Sequence, residues 1–220
     1  GYIIDAILDK AGNKGTGSWT TDAATDYGVP ATVLTSALYA RYISAFASKR
    51  SDYETYFGLE KSKLEILPNL EELRNAYALA RMVNHQQGFE LMKAASDTYD
   101  WGLNFSEIAR IWTNGCIIRS ELMESLVEDF ETGVEILRTE SRKEFIMSSL
   151  PSLKKVAATA IYTGVSVPCT LSAIDFLNAH LYNYPTANMI QAQRDFFGAH
   201  TFQRVGDDSG KFYHFEWEEF

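Results

Sequence analysis

Residues 69–95, NLEELRNAYALARMVNHQQGFELMKAA, decide the fold. Asn69 is a residue type that caps helix N-termini, and after it the side chains of one face recur three or four positions apart. That face comprises Leu70, Leu73, Tyr77, Ala80, Val83, Gln87, Phe89, Met92 and Ala95. At about 1.5 Å per residue, such a helix would be roughly 40 Å long. A helix of that length is typical of the central strut of a helical domain.

The same helical spacing continues on both sides of this stretch. Upstream, a helix is predicted to start at Trp19 or Thr20 and to end at Gly28, and the next one begins at Pro30 and includes Arg41. Downstream, capping and stop residues predict helices at 104–113, 117–129, 140–163, 168–182 and 185–199. No stretch alternates apolar and polar residues as a half-buried strand would, so the predicted fold class is all-α.

Composition limits the classes of function. The chain has 220 residues, of which 46% are hydrophobic, and this is enough for one domain or one domain with an appendage. Its net charge of −9 would repel nucleic acid and acidic membranes. No apolar run approaches the roughly 18–20 residues that span a bilayer. An anionic ligand would therefore need a local cluster of cations.

The cysteines and histidines show no metal-binding spacing. Cys116 and Cys169 form no CxxC pair, and His180 and His214 have no carboxylate or cysteine partner at metal spacing, so we predict no metal site. We interpret the cysteines as buried thiols of a cytoplasmic protein. The chain lacks an initial Met and opens directly on a helix-periodic run, which favours a fragment of a longer protein.

A glycine-rich segment near the start is suited to an anionic ligand. GNKGTGSWTT, residues 12–21, places Lys14 and Thr16 in a turn before a predicted helix, where free N–H groups favour phosphate. The order GxxGxG is neither a Walker A loop nor the dinucleotide fingerprint GxGxxG. Taken alone, the segment is more simply an ordinary glycine-rich connection.

A second candidate segment is QAQRDFFGAH, residues 191–200. Arg194 could hold a phosphate or carboxylate through two parallel hydrogen bonds, and His200 could donate to an anionic oxygen. Taken alone, the pair is more simply a surface arginine and a solvated histidine.

The residues after His200 differ in character from the rest of the chain. A turn rich in Gly and Asp is followed by large aromatic residues without helical period, namely Phe212, Tyr213, Phe215, Trp217 and Phe220. These side chains either fold back on their own domain or bury against a second subunit. The sequence leaves both interpretations open.

Three separated segments resemble the 6-phosphogluconate dehydrogenase family. The first segment comprises KGTG with the following Trp-Thr, and YGVPATVLTSALYAR. The second is residues 86–123, which include the run GCIIRS. The third is IQAQRDFFGAHTF at 190–202. The likeness covers essentially the whole chain and is loosest at 47–68 and 131–155. It implies the multi-helix C-terminal domain of an NADP-dependent enzyme of the pentose phosphate pathway. That enzyme converts 6-phosphogluconate to ribulose 5-phosphate by oxidative decarboxylation, without a metal.

The resemblance also implies which residues meet the substrate. Carried over motif by motif, the family's substrate contacts fall on Lys14, Thr16, Arg41, Arg194 and His200. A phosphate carries a charge of roughly −1.5 to −2, so a lysine and two arginines would neutralise it locally despite the acidic surface. Ser18 stands where the family commonly has a basic residue, which would weaken phosphate affinity slightly.

The resemblance implies a homodimer as well. In that family the helical domain forms an intertwined dimer, and the C-terminal tail of one subunit reaches the active site of the other. We therefore expect residues 1–184 to form a substrate and dimerisation domain. Residues 185–220, the last helix and the tail, would supply Arg194 and His200 to a partner subunit.

Catalysis would need residues outside this chain. The family's proton-transfer lysine and glutamate, and the domain that binds NADP, lie upstream of Gly1, so we predict no catalytic residue here and no activity of this chain alone. Two alternatives stay open. One is the helical domain of a related β-hydroxyacid dehydrogenase that acts on an unphosphorylated acid, and the other is a non-catalytic dimerisation module.

Overall fold

Helices dominate the computed structural model, which describes residues 1–12, 14–60, 62–133, 135–183 and 186–217. The α-helices are α1 (Thr16–Asp26), α2 (Thr32–Ser44), α3 (Ala47–Phe57), α4 (Leu70–Tyr99), α5 (Phe105–Trp112), α6 (Glu121–Asp129), α7 (Glu140–Thr163), α8 (Pro168–Leu181) and α9 (Thr186–Gly198). Short 3-10 helices lie at Ile3–Ala6 and Ile136–Arg138. Within the described ranges there is no β-strand, only one antiparallel bridge between Phe202 and Tyr213. The all-α prediction is confirmed.

The chain divides into two compact units, Gly1–Leu177 and Asn178–Phe220. The first unit contains α1 to α7 and most of α8, and the second contains the end of α8, α9 and the tail. The predicted boundary between residues 184 and 185, and the predicted helix start at 185, lie outside the described residues.

The long helix α4 begins as its capping residues predict. The side chain of Asn69 accepts a hydrogen bond from the Glu72 backbone N–H at 2.9 Å, and Glu72 in turn accepts one from the Asn69 N–H at 2.8 Å. This reciprocal pair is a capping box, which satisfies two N–H groups that the helix itself leaves unpaired. Lys155 of α7 donates to Glu72 at 2.7 Å and thereby ties the same turn to the neighbouring helix.

The core of the first unit lies where α4 packs on α7 and where α5 packs on α6. Its fully buried side chains include Leu79, Val83, Phe89, Met123, Leu126 and Leu153. Phe89 contacts three further aromatic rings, those of Phe105, Trp112 and Phe130. In the apolar face that the sequence predicts for α4, Leu70, Leu73 and Tyr77 are exposed, whereas the members from Ala80 onward are buried or half-buried.

A buried amide joins α2 to this core. The Gln87 side chain, fully buried on α4, accepts a hydrogen bond from the Val33 N–H at 2.9 Å and donates one to Thr32 Oγ1 at 3.0 Å. These contacts fall in the first turn of α2, whose N-cap residue Ala31 has no side-chain oxygen to cap it. Gln87 therefore performs the capping from a distant part of the chain and fixes the start of the helix that includes Arg41.

The structure differs from the sequence-based expectations at several places. Helix α1 begins at Thr16 rather than at Trp19 or Thr20, because Gly15, with φ of 96°, is its N-cap. Helix α6 begins at Glu121 rather than at 117, because Ser120 caps it and Gly115 turns the chain with φ of 66°. Helix α3 was not predicted, and the opening run of isoleucines forms only a short, exposed 3-10 turn. The predicted buried thiols, Cys116 and Cys169, are only half-buried.

Candidate functional site

Helices α1 and α2 form an antiparallel hairpin. A Cβ atom on Gly17 would lie 3.1 Å from Leu38 Cδ1, so the absence of a side chain lets the two helices approach closely. One turn further along α1, Thr21 Oγ1 lies 3.4 Å from Thr35 Oγ1. Residue numbers increase along α1 while those of the facing residues on α2 decrease. The helices are therefore antiparallel, and the start of α1 lies beside the end of α2.

The glycine-rich loop is anchored to that same end of the hairpin. The backbone N–H of Ala11 donates to Ser44 Oγ at 2.9 Å, and Asp9 forms an ion pair with Arg50 at the start of α3. Lys14 and Thr16 follow this anchored segment, and Arg41 lies in the last turn of α2. The structure therefore brings Lys14, Thr16 and Arg41 to one end of a single helix pair.

Among the residues that the structure describes, no side chain caps the N-terminus of α1. By contrast, the side chains of Asn69, Asn104 and Ser120 cap α4, α5 and α6. Gly15 cannot cap α1, and Ser18 donates its hydroxyl back to the Gly15 carbonyl at 2.7 Å instead. The first N–H groups of a helix favour an anion because they are unpaired and lie at the positive end of the helix dipole.

Two cations at this end have no partner among the described residues. Lys14 and Arg41 are exposed, and within the part of the chain that the structure describes neither side chain makes a hydrogen bond or an ion pair. Other cations of the first unit are paired, for example Arg50 with Asp9 and Arg110 with Glu107. Lys14 and Arg41 thus keep their charges available for an anion from solution.

In the second unit, hydrogen bonds link Arg194 to the backbone beside His200. Arg194 Nη1 donates to Gln191 Oε1 at 3.1 Å, and Gln191 Nε2 donates to the Thr201 carbonyl. Thr201 is the residue after His200, so the backbone beside the imidazole is linked to the arginine side chain. A Cβ atom on Gly198 would lie 2.8 Å from His200 Nε2, which shows that the imidazole lies across that glycine.

A carboxylate that the sequence did not single out lies at the centre of this unit. Asp195 has 0% of its surface exposed and accepts four hydrogen bonds at 2.9–3.0 Å, from Thr201 N, His214 Nδ1, Phe215 N and Trp217 Nε1. Burial raises the pKa of the Asp195 carboxyl, but these bonds, led by the one from His214, outweigh burial and lower the pKa to about 2. The same contact raises the pKa of His214 above its usual 6.5. This partner of His214 lies 19 residues earlier in the chain, outside the short metal-ligand spacings on which the prediction of no metal site rests.

The tail folds back on α9 of its own chain as far as Trp217. Phe202 and Tyr213 exchange two backbone hydrogen bonds of 2.8 Å, which makes residues 202–213 a short hairpin. At its turn, Asp207 accepts from the Tyr213 hydroxyl at 2.6 Å, and the Arg204 guanidinium lies 4.1 Å from the Tyr213 ring centre. Phe220 lies outside the described residues.

No metal centre or membrane helix is found in the part of the chain that the structure describes. No cluster there brings together three or more His, Cys, Asp or Glu residues that could hold a metal ion. None of its helices combines the length and the apolar character needed to cross a bilayer.

The chain is similar to proteins of known function. The family model of the 6-phosphogluconate dehydrogenase C-terminal domain matches residues 1–217. The chain belongs to this family. The decarboxylating 6-phosphogluconate dehydrogenase of Lactococcus lactis is 35% identical over 99% of this chain and 47% of its own length. The Salmonella typhimurium enzyme is 36% identical over 99% and 47%.

A solved structure of the family has the same fold. Plasmodium falciparum 6-phosphogluconate dehydrogenase superimposes with a TM-score of 0.90 at 32% identity, over 98% of this chain and 47% of its own. That enzyme has been solved in its apo form, in complex with its cofactor NADP+ and in complex with its substrate 6-phosphogluconate. This chain of the 6-phosphogluconate dehydrogenase family therefore spans about half the length of the relatives it matches.

The described residues do not fit a dinucleotide site. Such a site places GxGxxG between a strand and a helix, whereas the GxxGxG run here follows a loop and no strand occurs in the described ranges. No contact to NADP is therefore assigned to the described part of this chain.

Proposed function

We propose that this chain is the helical half of an NADP-dependent 6-phosphogluconate dehydrogenase, which oxidatively decarboxylates 6-phosphogluconate to ribulose 5-phosphate. In this proposal the chain supplies the contacts to the substrate phosphate and the dimer interface. The family match over residues 1–217 supports the proposal, as do relatives that are named decarboxylating 6-phosphogluconate dehydrogenases. NADP and the groups that transfer protons would belong to the other half that the relatives possess.

The observation that carries the proposal is the end of the α1–α2 hairpin. The N-terminus of α1, which no described side chain caps, supplies N–H groups, and Thr16 supplies a hydroxyl. Lys14 and Arg41 add two positive charges that no described residue pairs. A phosphate dianion is the ligand that this set of donors suits best, because it can accept several charge-assisted hydrogen bonds at once. A sugar acid without a phosphate offers only a singly charged carboxylate, which could not use all of these donors at once.

We propose that Arg194 and His200 complete the phosphate and sugar contacts from a second copy of the chain. Supporting this, the second unit leaves a set of large apolar side chains exposed: Met189, Ile190, Phe196, Phe197 and Phe212. Apolar groups of this number on one small unit are typical of a surface that another molecule covers. Since Asp195 ties the tail to α9, exchange between subunits would involve the unit as a whole.

We also place the enzyme in the cytoplasm and propose that it needs no metal. Cys116 and Cys169 are free thiols, as expected in a reducing compartment.

For the substrate itself, binding by this chain would fix the sugar's phosphate end. The carbon to be oxidised would then be presented to groups from the other half.

Calorimetric titration of the full-length gene product tests the proposed substrate. We expect 6-phosphogluconate to bind at least about 100-fold more tightly than gluconate, because gluconate lacks the phosphate and so forgoes several charge-assisted bonds. Oxidation of 6-phosphogluconate with NADP should appear in the same preparation. Equal affinity for the two acids would contradict the phosphate site and favour a dehydrogenase of unphosphorylated acids.

Light scattering at micromolar concentration tests the dimer. We expect the full-length protein to be a dimer and a variant without residues 178–220 to dissociate at least in part, because it loses the exchanged unit. A protein that is monomeric with and without these residues would refute the dimer. A dimer of unchanged affinity after the deletion would refute the exchange.

A further inference from the structure

The backbone on both sides of His200 is held by one residue. Ala199 has φ of 47° and Thr201 has φ of 60°, a region that residues other than glycine rarely adopt unless surrounding contacts hold them there. The Ala199 N–H donates to the Asp195 carbonyl at 2.9 Å, and the Thr201 N–H donates to Asp195 Oδ1 at 2.9 Å. Asp195 therefore anchors the residue before His200 and the residue after it.

The same carboxylate closes the base of the tail hairpin. Its donors Thr201 and His214 flank the paired residues Phe202 and Tyr213, and Trp217 adds its indole N–H. All four donors to the carboxylate lie after α9, so its bonds do nothing for the helix itself. Their effect is to fix the segment that includes His200 against α9.

We propose that Asp195 is a positioning residue, which acts on substrate binding through His200 by fixing the backbone around that imidazole. The inference rests on the proposed function, in which His200 contacts the substrate. Gln191 reinforces the arrangement, because it holds the Thr201 carbonyl and is itself held by Arg194. Arg194 and His200 would then meet the ligand as one preorganised pair.

A double-mutant cycle in the full-length gene product tests this, with 6-phosphogluconate titrated by calorimetry into Asp195→Asn, His200→Ala and the double variant. We expect Asp195→Asn to weaken binding about tenfold when His200 is present, since an amide replaces one acceptor oxygen by a donor. With His200 already removed, the same change should weaken binding less than about twofold. A general structural role would give the same loss in both backgrounds.

Asp207→Asn is the matched control. Asp207 is a tail carboxylate whose pKa is also lowered to about 2, led by its bonds to Ser209 and Tyr213, but it closes the far end of the hairpin. We expect this change to leave the affinity within about twofold of the unmodified protein, because residues 199–201 keep their anchors. An effect as large as that of Asp195→Asn would overturn the proposal.

Thr201→Gly covers the case in which Asp195→Asn does not fold. Glycine adopts positive φ without strain and keeps the N–H donor, so the fold is retained while the backbone beside His200 gains freedom. We expect about threefold weaker binding with His200 present and no change without it. Equal effects in the two backgrounds, or none in either, would overturn the proposal. Failure of the unmodified protein to bind 6-phosphogluconate would instead overturn the proposed function.

Discussion

Replacing Arg194 by alanine is expected to weaken 6-phosphogluconate binding by the full-length gene product roughly 100-fold, while gluconate binding changes little. Arg194 is exposed, and among the described residues its guanidinium forms a hydrogen bond only with the neutral Gln191 side chain, so its charge is available to the ligand. Each hydrogen bond between charged groups contributes about 1.5–3 kcal/mol, and about 1.4 kcal/mol corresponds to a tenfold change in affinity. Losing a bidentate pair to phosphate therefore gives an effect of this size. Calorimetric titration with both acids measures it.

Two further variants give this prediction its controls. Arg194→Lys keeps the charge but loses the planar, two-pronged geometry, so we expect a loss of about tenfold rather than 100-fold. Arg204→Ala removes another arginine of the same unit, one that stacks on the Tyr213 ring. It should leave the affinity unchanged. If Arg194→Ala weakened gluconate as much as 6-phosphogluconate, Arg194 would not be a phosphate contact.

The candidate site was predictable from the sequence only where its residues lie in compact motifs. Lys14 and Thr16 share one short segment, and Arg194 and His200 share another, so these segments made them candidates, and the family resemblance then favoured them over the simpler structural interpretation. Asp195 was missed because its partners lie 6 to 22 residues further along the chain. A carboxylate beside an arginine on a helix is normally interpreted as a solvent-exposed charge. Only the folded tail, which donates to Asp195, makes this one buried.

The fold was predictable where local signals agree, and less so elsewhere. Asn69 caps α4 through a hydrogen bond between residues only three positions apart, and Gly164 ends α7 with φ of 71°. Helix α3 has no buried residue and polar side chains on all sides, so no periodic pattern marks it. The capping of α2 by Gln87 spans 54 residues, and no local rule could have predicted it.

Phe89→Ala is expected to cause the largest loss of stability, about 3–5 kcal/mol, which is the range for truncating a fully buried phenylalanine. Phe89 is 1% exposed, and its ring centre lies 4.3 Å from that of Phe130, 5.7 Å from Trp112 and 6.0 Å from Phe105. Because a domain of this size loses roughly 2–4 °C per kcal/mol, its melting temperature should fall by about 10 °C.

The reason for so large an effect is that Phe89 joins three elements at one point. Its ring partners lie on α5 and just after α6, so truncation would leave a cavity where α4 meets both of these elements. They cannot both move in to fill it, so the cavity would persist. Phe57→Ala is the matched control, since that ring is 60% exposed, and we expect a loss below about 1 kcal/mol. Calorimetry at one fixed protein concentration compares the two, because the melting temperature of the proposed dimer would depend on concentration. Equal losses would mean that the aromatic cluster around Phe89 does not hold α4, α5 and α6 together.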